Sequence, residues 1–424
     1  MRKFVTGLQT FLFSVVVLVV LAACTPNPNT PAVTPTAASA PGTFVPQQRN
    51  IATLPPPAWV AVGQEIKLAN VSNIAYLGRL DAQGSASSTV FAYAFSPDGS
   101  RLVGLNNEQI IFWDLITGKL LFNTARQDAA QIYYGADKTE VYTVDSRGQI
   151  RVYATDSGQL VQTLQGQTAF NGSADYDAND GYLALGGLDG TVKVWDVKAR
   201  QSLVTIQAQT QLVKGVAFSS DGSRLATIGD EKTVKVWDWQ TKKLITQMSA
   251  TAIKVIFSPD ATQLAIGEDR QISLWSLPDG KSLANLTTGP RAQSDTVLYS
   301  PDGQYIVNGG SIQALTVWDT KTGKLVNTLP GAGGDVNTAA FSHEGDLLVT
   351  SVLGGDVNLW DVSTMRSVTM NRATLSVGSH QILYADWSPD GFILLLGDAT
   401  GPLEIWGIAA PATPTPEATA TPTG

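Results

Sequence analysis

VAFSSDGSRLATIG at residues 216–229, followed by TVKVWD at residues 233–238, decides the fold. Two apolar runs flank a Ser-Asp-Gly turn, in which Asp bonds its own backbone and Gly accepts a dihedral that other residues avoid. The two runs therefore form a hairpin. TVKVWD alternates apolar and polar positions and is rich in β-branched side chains, so it reads as a third strand with one buried face. VLYSPDGQYIVNGG at residues 297–310 repeats the hairpin, with Pro pre-setting the bend. Turns such as Thr117-Gly118, Ser157-Gly158 and Thr322-Gly323 then lead into a fourth strand, for example LVNTL at residues 325–329.

Working outward, the pattern recurs eight times. An aromatic residue precedes each first turn: Phe95, Tyr134, Tyr176, Phe218, Phe257, Tyr299, Phe341 and Trp387. A second aromatic follows 18 or 19 residues later: Trp113, Tyr153, Trp195, Trp237, Trp275, Trp318, Trp360 and Trp406. Seven of the ten Trp thus occupy one repeat position, usually followed by Asp. A period of about 42 residues with FSPDG-like and VWD-like signatures resembles the WD40 repeat family. The resemblance covers residues 66–408. It implies an all-β, eight-bladed WD40-like β-propeller, four antiparallel strands to a blade. No blade buries both faces alone, so the array is stable only when closed. After Trp406 the chain reads GIAAPATPTP and offers no fourth strand, whereas Ile74–Leu80 (IAYLGRL) resembles a fourth strand without a blade. The N-terminal strand is therefore expected to complete blade eight, a clasp familiar in this family.

The spacing also says where binding belongs. The first three strands keep a constant length, while the interval from second aromatic to next first aromatic varies from 20 to 27 residues. Variable connections on a rigid scaffold are where binding is placed. The longest such segment is 361–386. The contact face is expected where fourth-to-first-strand loops meet second-to-third-strand turns. Its candidate binding residues are Arg126, Arg147, Asp189, Glu231, Arg270, Arg291, Asp356 and Arg372, Arg being favoured for its planar fork. WD40 blades often link a Gly-His, an Asp, a Ser or Thr and the Trp in a buried network. Here Gly-His survives only as Gly378-Ser379-His380, and the Asp six residues before Trp is Asn107 in blade one and Ile312 in blade six. Stability is therefore expected to rest on packing and ladder hydrogen bonds more than on that network.

The ends of the chain read differently. Arg2 and Lys3 precede an apolar run, FLFSVVVLVVLAA, from Phe11 to Ala23. This is too short for a bilayer that needs about 20 residues, but it suits a secretory signal. It closes on Leu21-Ala22-Ala23-Cys24, which resembles the lipobox of bacterial lipoproteins. The resemblance implies cleavage before Cys24 and acylation of its thiol, and more than one acyl chain anchors stably. The expected plan is a signal peptide over 1–23, a lipidated Cys24 with a Pro/Thr-rich tether over 24–57, the propeller over 58–408, and a disordered Pro/Thr-rich tail over 409–424. The localisation that follows is extracytoplasmic, lipid-anchored to a bacterial membrane.

Composition removes other classes. The formal charge of −8 becomes −10 once Arg2 and Lys3 are cleaved away, a balance that offers nucleic acid nothing. One Cys excludes an intramolecular disulfide and a Cys-rich zinc site, and two His exclude a three-histidine centre. Asp175 to Gly181 (DYDANDG) has Asp180 where a calcium loop needs Gly, and Gly186 where it needs a bidentate Glu. His343 and the Glu268-Asp269 pair read as solvated turn residues. No catalytic residue, metal or cofactor is assigned. The resulting reading is a non-enzymatic, monomeric scaffold for an unidentified protein partner. The alternative is a secreted propeller enzyme or small-ligand sensor with its site at the central channel mouth.

Overall fold

The computed structural model describes residues 62–81, 89–287, 296–309, 314–330, 336–352, 357–368, 382–398 and 401–410. These form eight antiparallel sheets, seven of them with four strands in simple up-and-down order and the eighth joining N-terminal strands to the last one. Blade one comprises Ala92–Phe95, Arg101–Leu105, Gln109–Asp114 and Lys119–Ala125. Blade four comprises Val213–Phe218, Arg224–Gly229, Thr233–Asp238 and Lys243–Ser249, as the opening hairpin and TVKVWD predict.

Burial grades outward through each blade. The first strand of blade one is wholly buried, while its fourth strand exposes every second residue. First strands of neighbouring blades pack on one another around the ring, as Phe170–Asp177 of blade three does on Val213–Phe218 of blade four. The hydrophobic clusters lie between blades. Val192 and Val194 of blade three, for instance, share a cluster with Phe218, Leu225 and Trp237 of blade four. Each sheet has its core only in the company of the next, which is why closure matters.

The Ser of the first turn does more than its place in the sequence suggests. Ser96 Oγ donates to Asp98 Oδ1 at 2.7 Å and accepts from the Arg101 amide at 2.9 Å, pinning the hairpin from inside. The same pair of bonds recurs at Ser219, Ser258, Ser300 and Ser388, all buried. Gly99 and Gly222 hold φ of 71° and 67° there, while in blade five the same place is taken by Ala261 at 55°.

A second regularity accounts for several of the exposed aliphatic side chains on the fourth strands. Where the third strand pairs with the fourth, the register slips by one residue at the recurring aromatic in blades one to six. The residue left unpaired is Leu121, Val161, Leu203, Ile245, Leu283 or Val326, one on each blade. Five of these six are exposed. A bulged residue turns out of the ladder, so these aliphatics face solvent, and on blades two and six exposed Leu160 and Leu325 stand beside them.

Blade eight closes as expected, with one elaboration. Ile382–Trp387, Ile393–Asp398 and Leu403–Ala409 supply three strands, and Ala75–Leu80 supplies the fourth, running from Ala75 opposite Gly407 to Leu80 opposite Leu403. The clasp is in two pieces: Val62–Gln64 continues the same edge opposite Ile408 and Ala409. Between them residues 65–74 leave the sheet. The Ile66 amide donates to Gly391 O at 2.9 Å, and the Leu68 amide donates to Asp346 Oδ2 at 2.8 Å, reaching blade seven. Ile66, Val71 and Ile74 are buried there with Leu347 and Leu394. Leu77 and Leu80 pack with Leu102 and Trp113 of blade one. The last strand runs to Ala409, one residue past the boundary expected at 408. The segments expected as signal peptide and tether, Cys24 between them, and residues 411–424 lie outside the described residues.

Candidate interaction face

Second-to-third-strand turns and fourth-to-first-strand loops share one end of each blade, and together they form a rim. Five of the candidate residues are described there, and they divide into two kinds.

Arg126, Asp189 and Glu231 hold the rim together. Arg126 follows the fourth strand of blade one; its Nε donates to Ala129 O at 2.6 Å and one terminal nitrogen to Asn107 O at 3.4 Å. Its guanidinium sits 4.7 Å from the centre of the Phe91 ring, and burial lowers its pKa. The side chain thus staples a loop to the neighbouring turn. Asp189 Oδ1 accepts the Thr191 hydroxyl at 2.6 Å and the Thr191 amide at 3.0 Å, and the hydroxyl bond in particular holds its carboxyl below the usual range. Burial is the strongest single influence and works to raise Glu231, but the Thr210 amide, donating to Oε1 at 2.9 Å, acts with Glu231's own amide, the Thr210 hydroxyl and Lys235 to bring the pKa below its ordinary value.

Arg147 and Arg270 point outward. Both are exposed, Arg147 in the turn before Ile150–Ala154 of blade two and Arg270 in the turn before Gln271–Ser276 of blade five. Arg270 makes only a 3.6 Å approach to exposed Asp269. Arg291, Asp356, Arg372 and His380 lie outside the described residues, as do residues 369–381, half of the long segment 361–386.

The rim's rigidity has a source the sequence reading missed. Gln209 is buried between blades; its Nε2 donates to Thr227 O and Oγ1 at 3.0 and 2.9 Å, while Oε1 accepts the Thr233 hydroxyl at 3.0 Å. Trp237 Nε1 completes the set by donating to Thr227 Oγ1 at 3.2 Å. Gln167 repeats part of it, donating to Thr191 Oγ1 at 2.8 Å. In blade two Asp145 caps its turn through the Arg147 and Gln149 amides, both at 2.9 Å, and pairs with Arg151 at 2.9 Å, both side chains being largely buried. The expectation that packing counts for more than the polar network meets an exception in blade four, where Gln209 stands in for the missing His and reaches the Trp through Thr227. Trp195, Trp275 and Trp318 do fit that expectation, since their Nε1 atoms are buried without a partner. Two solvated-turn readings also change. Glu268 accepts the Gln271 amide group and the Ser273 hydroxyl, at 3.0 and 2.9 Å. His343 is half-buried against blade eight, its Nδ1 enclosed.

Among the described residues no group of three His, Cys, Asp or Glu side chains is arranged to hold a metal. The described part of the rim is a polar, mixed-charge surface whose turns are held by these hydrogen bonds. Comparison with known families agrees with the architecture. The family "WD domain, G-beta repeat" matches residues 158–196, 200–238 and 323–361. The chain carries WD40 repeats. Each matched WD40 repeat begins at or beside the fourth strand of one blade and ends on the Trp-Asp of the next, so the repeat unit straddles the joint between blades.

Among curated proteins the chain is similar to small ribosomal subunit protein RACK1 of Drosophila melanogaster, 27% identical over 166 residues, which are 37% of this chain and 51% of that protein. It is similar also to RACK1y of Oryza sativa subsp. japonica, 26% identical over 161 residues, 37% of this chain and 47% of that one. The chain spans about half the length of these relatives. Among solved structures, the computationally designed Ika8 protein superposes with a TM-score of 0.65 at 20% identity, covering 78% of this chain and 99% of that one. The C-terminal WD40 domain of Sif2 does so at 0.63 and 14%, covering 82% and 99%. These two likenesses concern the fold.

Proposed function

We propose that this chain is a non-catalytic, monomeric protein-interaction scaffold, held on the outer side of a bacterial membrane by acylated Cys24. The rim carries the reading. Gln209, Asp145 and Arg126 fix its turns and loops, and Arg147 and Arg270 project from them with their guanidinium groups exposed. A pre-organised surface loses little entropy on docking, and outward Arg is the side chain most suited to bidentate capture of a partner's carboxylates. WD40 propellers in general serve protein–protein contacts, and the RACK1 relatives are by name components of a ribosomal subunit, which is in keeping with a role in assembly. Leu21-Ala22-Ala23-Cys24 supports the anchor, and the Pro-rich residues 25–57 would hold the propeller off the membrane.

The test is crosslinked affinity capture from envelope extract with the wild-type chain and with Arg147→Glu/Arg270→Glu. One reproducible partner lost on charge reversal supports the scaffold. A capture profile indifferent to the reversal removes the rim from the proposal.

A further inference from the structure

A second feature lies on the opposite face, where first-to-second-strand and third-to-fourth-strand turns meet. A cleft of about 370 Å³ opens there between blades one and two, within the range of about 300–1,000 Å³ that small-molecule sites occupy. Its lining residues are mostly Ser, Thr, Asp, Lys and Arg, whose carbon atoms share the surface with their polar ends, from the turns after Ala92–Phe95 and Ala129–Tyr134 and the turn before Leu160–Leu164.

The direction of the hydroxyl protons sets what the cleft offers. Ser96 and Ser100 donate to Asp98 Oδ1 at 2.7 and 2.8 Å, Thr139 donates to Asp137 Oδ1 at 2.7 Å, and Thr155 donates to Lys138 O at 2.6 Å. These protons are committed within the protein; Ser96 and Thr155 are buried, with Ser96 Oγ already accepting the Arg101 amide, whereas Ser100 and Thr139 reach the surface and turn their lone pairs outward. N–H donors come from Arg101, which gives one hydrogen bond to Thr155 O at 3.0 Å and carries five N–H groups in all. At the floor, the hydroxyl of buried Tyr134 has no hydrogen-bond partner.

The charges of the cleft cancel. Lys138 pairs with Asp98 at 2.7 Å, and Lys198, which stands outside the lining, pairs with Asp137 at 3.1 Å; with it counted, Arg101 and Asp156 contribute one remaining charge of each sign. Neither an anion nor a cation gains from entering. The complement of clustered lone pairs with interspersed N–H donors, at zero net charge, is a molecule whose every polar group both donates and accepts.

We propose that the cleft between blades one and two binds a neutral polyhydroxylated small molecule, a saccharide of one or two rings. Adjacent ring hydroxyls donate to the Ser, Thr and Asp oxygens and accept from Arg101. The site is independent of the rim, being at the other end of the blades, and stands or falls apart from it.

Saturation-transfer difference NMR on the full chain tests this, with methyl glucoside, N-acetylglucosamine and myo-inositol as probes and with acetate and phosphate as competitors. Saturation transfer to at least one probe, with a dissociation constant of about 1 mM or tighter, is expected. It should weaken about tenfold in Asp156→Ala, an exposed position, and in Arg101→Gln, and stay unchanged in Arg270→Ala on the far rim. Melting temperatures of the variants confirm that folding is intact. No transfer to any probe, transfer that persists in both cleft variants of intact fold, or displacement by phosphate or acetate as effective as by the sugars would overturn the proposal.

Discussion

Replacing Asp386 by Asn should make the protein more stable at alkaline pH and leave it no better at acidic pH. Asp386 sits in the first strand of blade eight, buried at the seam where the ring closes on blade one. Its Oδ2 accepts the Tyr93 hydroxyl across the seam at 3.2 Å, and its Oδ1 accepts the Trp387 amide at 2.9 Å. The Tyr384 ring lies 5.7 Å from Tyr93, and its hydroxyl donates to Phe91 O at 2.9 Å. Burial pushes the Asp386 carboxyl up to about 7, against the pull of its two hydrogen bonds. Tyr93 is itself raised by burial and then by the Asp386 charge. The folded protein therefore holds this proton more tightly than the unfolded chain, whose carboxylate titrates near about 3.9. Its contribution is fully present below pH 4 and is lost as pH rises to 7, by about 4 kcal/mol in all. Asn carries no charge and forfeits about one hydrogen bond, or about 1 kcal/mol. Urea unfolding at pH 4, 5, 6, 7 and 8 should show the variant about 1 kcal/mol less stable at pH 4 and about 3 kcal/mol more stable at pH 8. Asp175, raised to about 6 by burial, and Asp98, lowered below the usual range by Lys138 and its serines despite burial, titrate in both proteins and cancel in the difference. A difference that does not change with pH would refute the reasoning.

Four further outcomes follow. Deleting residues 66–80 removes the clasp and should lower the melting temperature and provoke aggregation; the gentler Leu80→Ala, a fully buried site, should cost about 2–5 kcal/mol by urea unfolding, and unchanged values for both would contradict the closure. Gln209→Ala leaves Thr227 and Thr233 without their partner and should cost about 1–3 kcal/mol by the same assay. Ala261→Gly should stabilise by about 0.5–1 kcal/mol in thermal unfolding, because relief of the left-handed backbone outweighs the extra freedom of the unfolded chain. Cys24→Ala should leave the protein unlipidated and in the aqueous phase of a detergent partition, and acylation persisting in that variant would dismiss the anchor.

Much of the fold was legible because each blade writes the same physics. A turn that needs Gly and a strand that alternates toward Trp must recur wherever a sheet packs between two others, so the spacing of Phe218 and Trp237 foretold blade four. Closure was legible from a missing strand after Trp406 and a spare one at Ile74–Leu80. The excursion of residues 65–74 beneath blades seven and eight was not, because Ile66, Val71 and Ile74 are too sparse to declare a face. The rim was legible as a place and less so as chemistry. Spacing put Arg126, Asp189 and Glu231 at the right end of the blades, but only coordinates show that their polar atoms are committed within the protein. Gln209 gave no sign at all, since Gln is ordinarily a surface residue and the family pattern looks for His. The cleft beside Arg101 joins turns about 40 and 20 residues apart in sequence, and pairing them requires knowing how blades one and two abut.

The most direct measurement is site-specific photocrosslinking in the native cell, with the crosslinker placed at Arg147 or Arg270 on the rim and, as a control, at Asp156 on the opposite face. A single protein band from both rim positions and none from Asp156 is the expected result. Crosslinks that are absent from the rim, or equal from both faces, would contradict a scaffold that works through this surface.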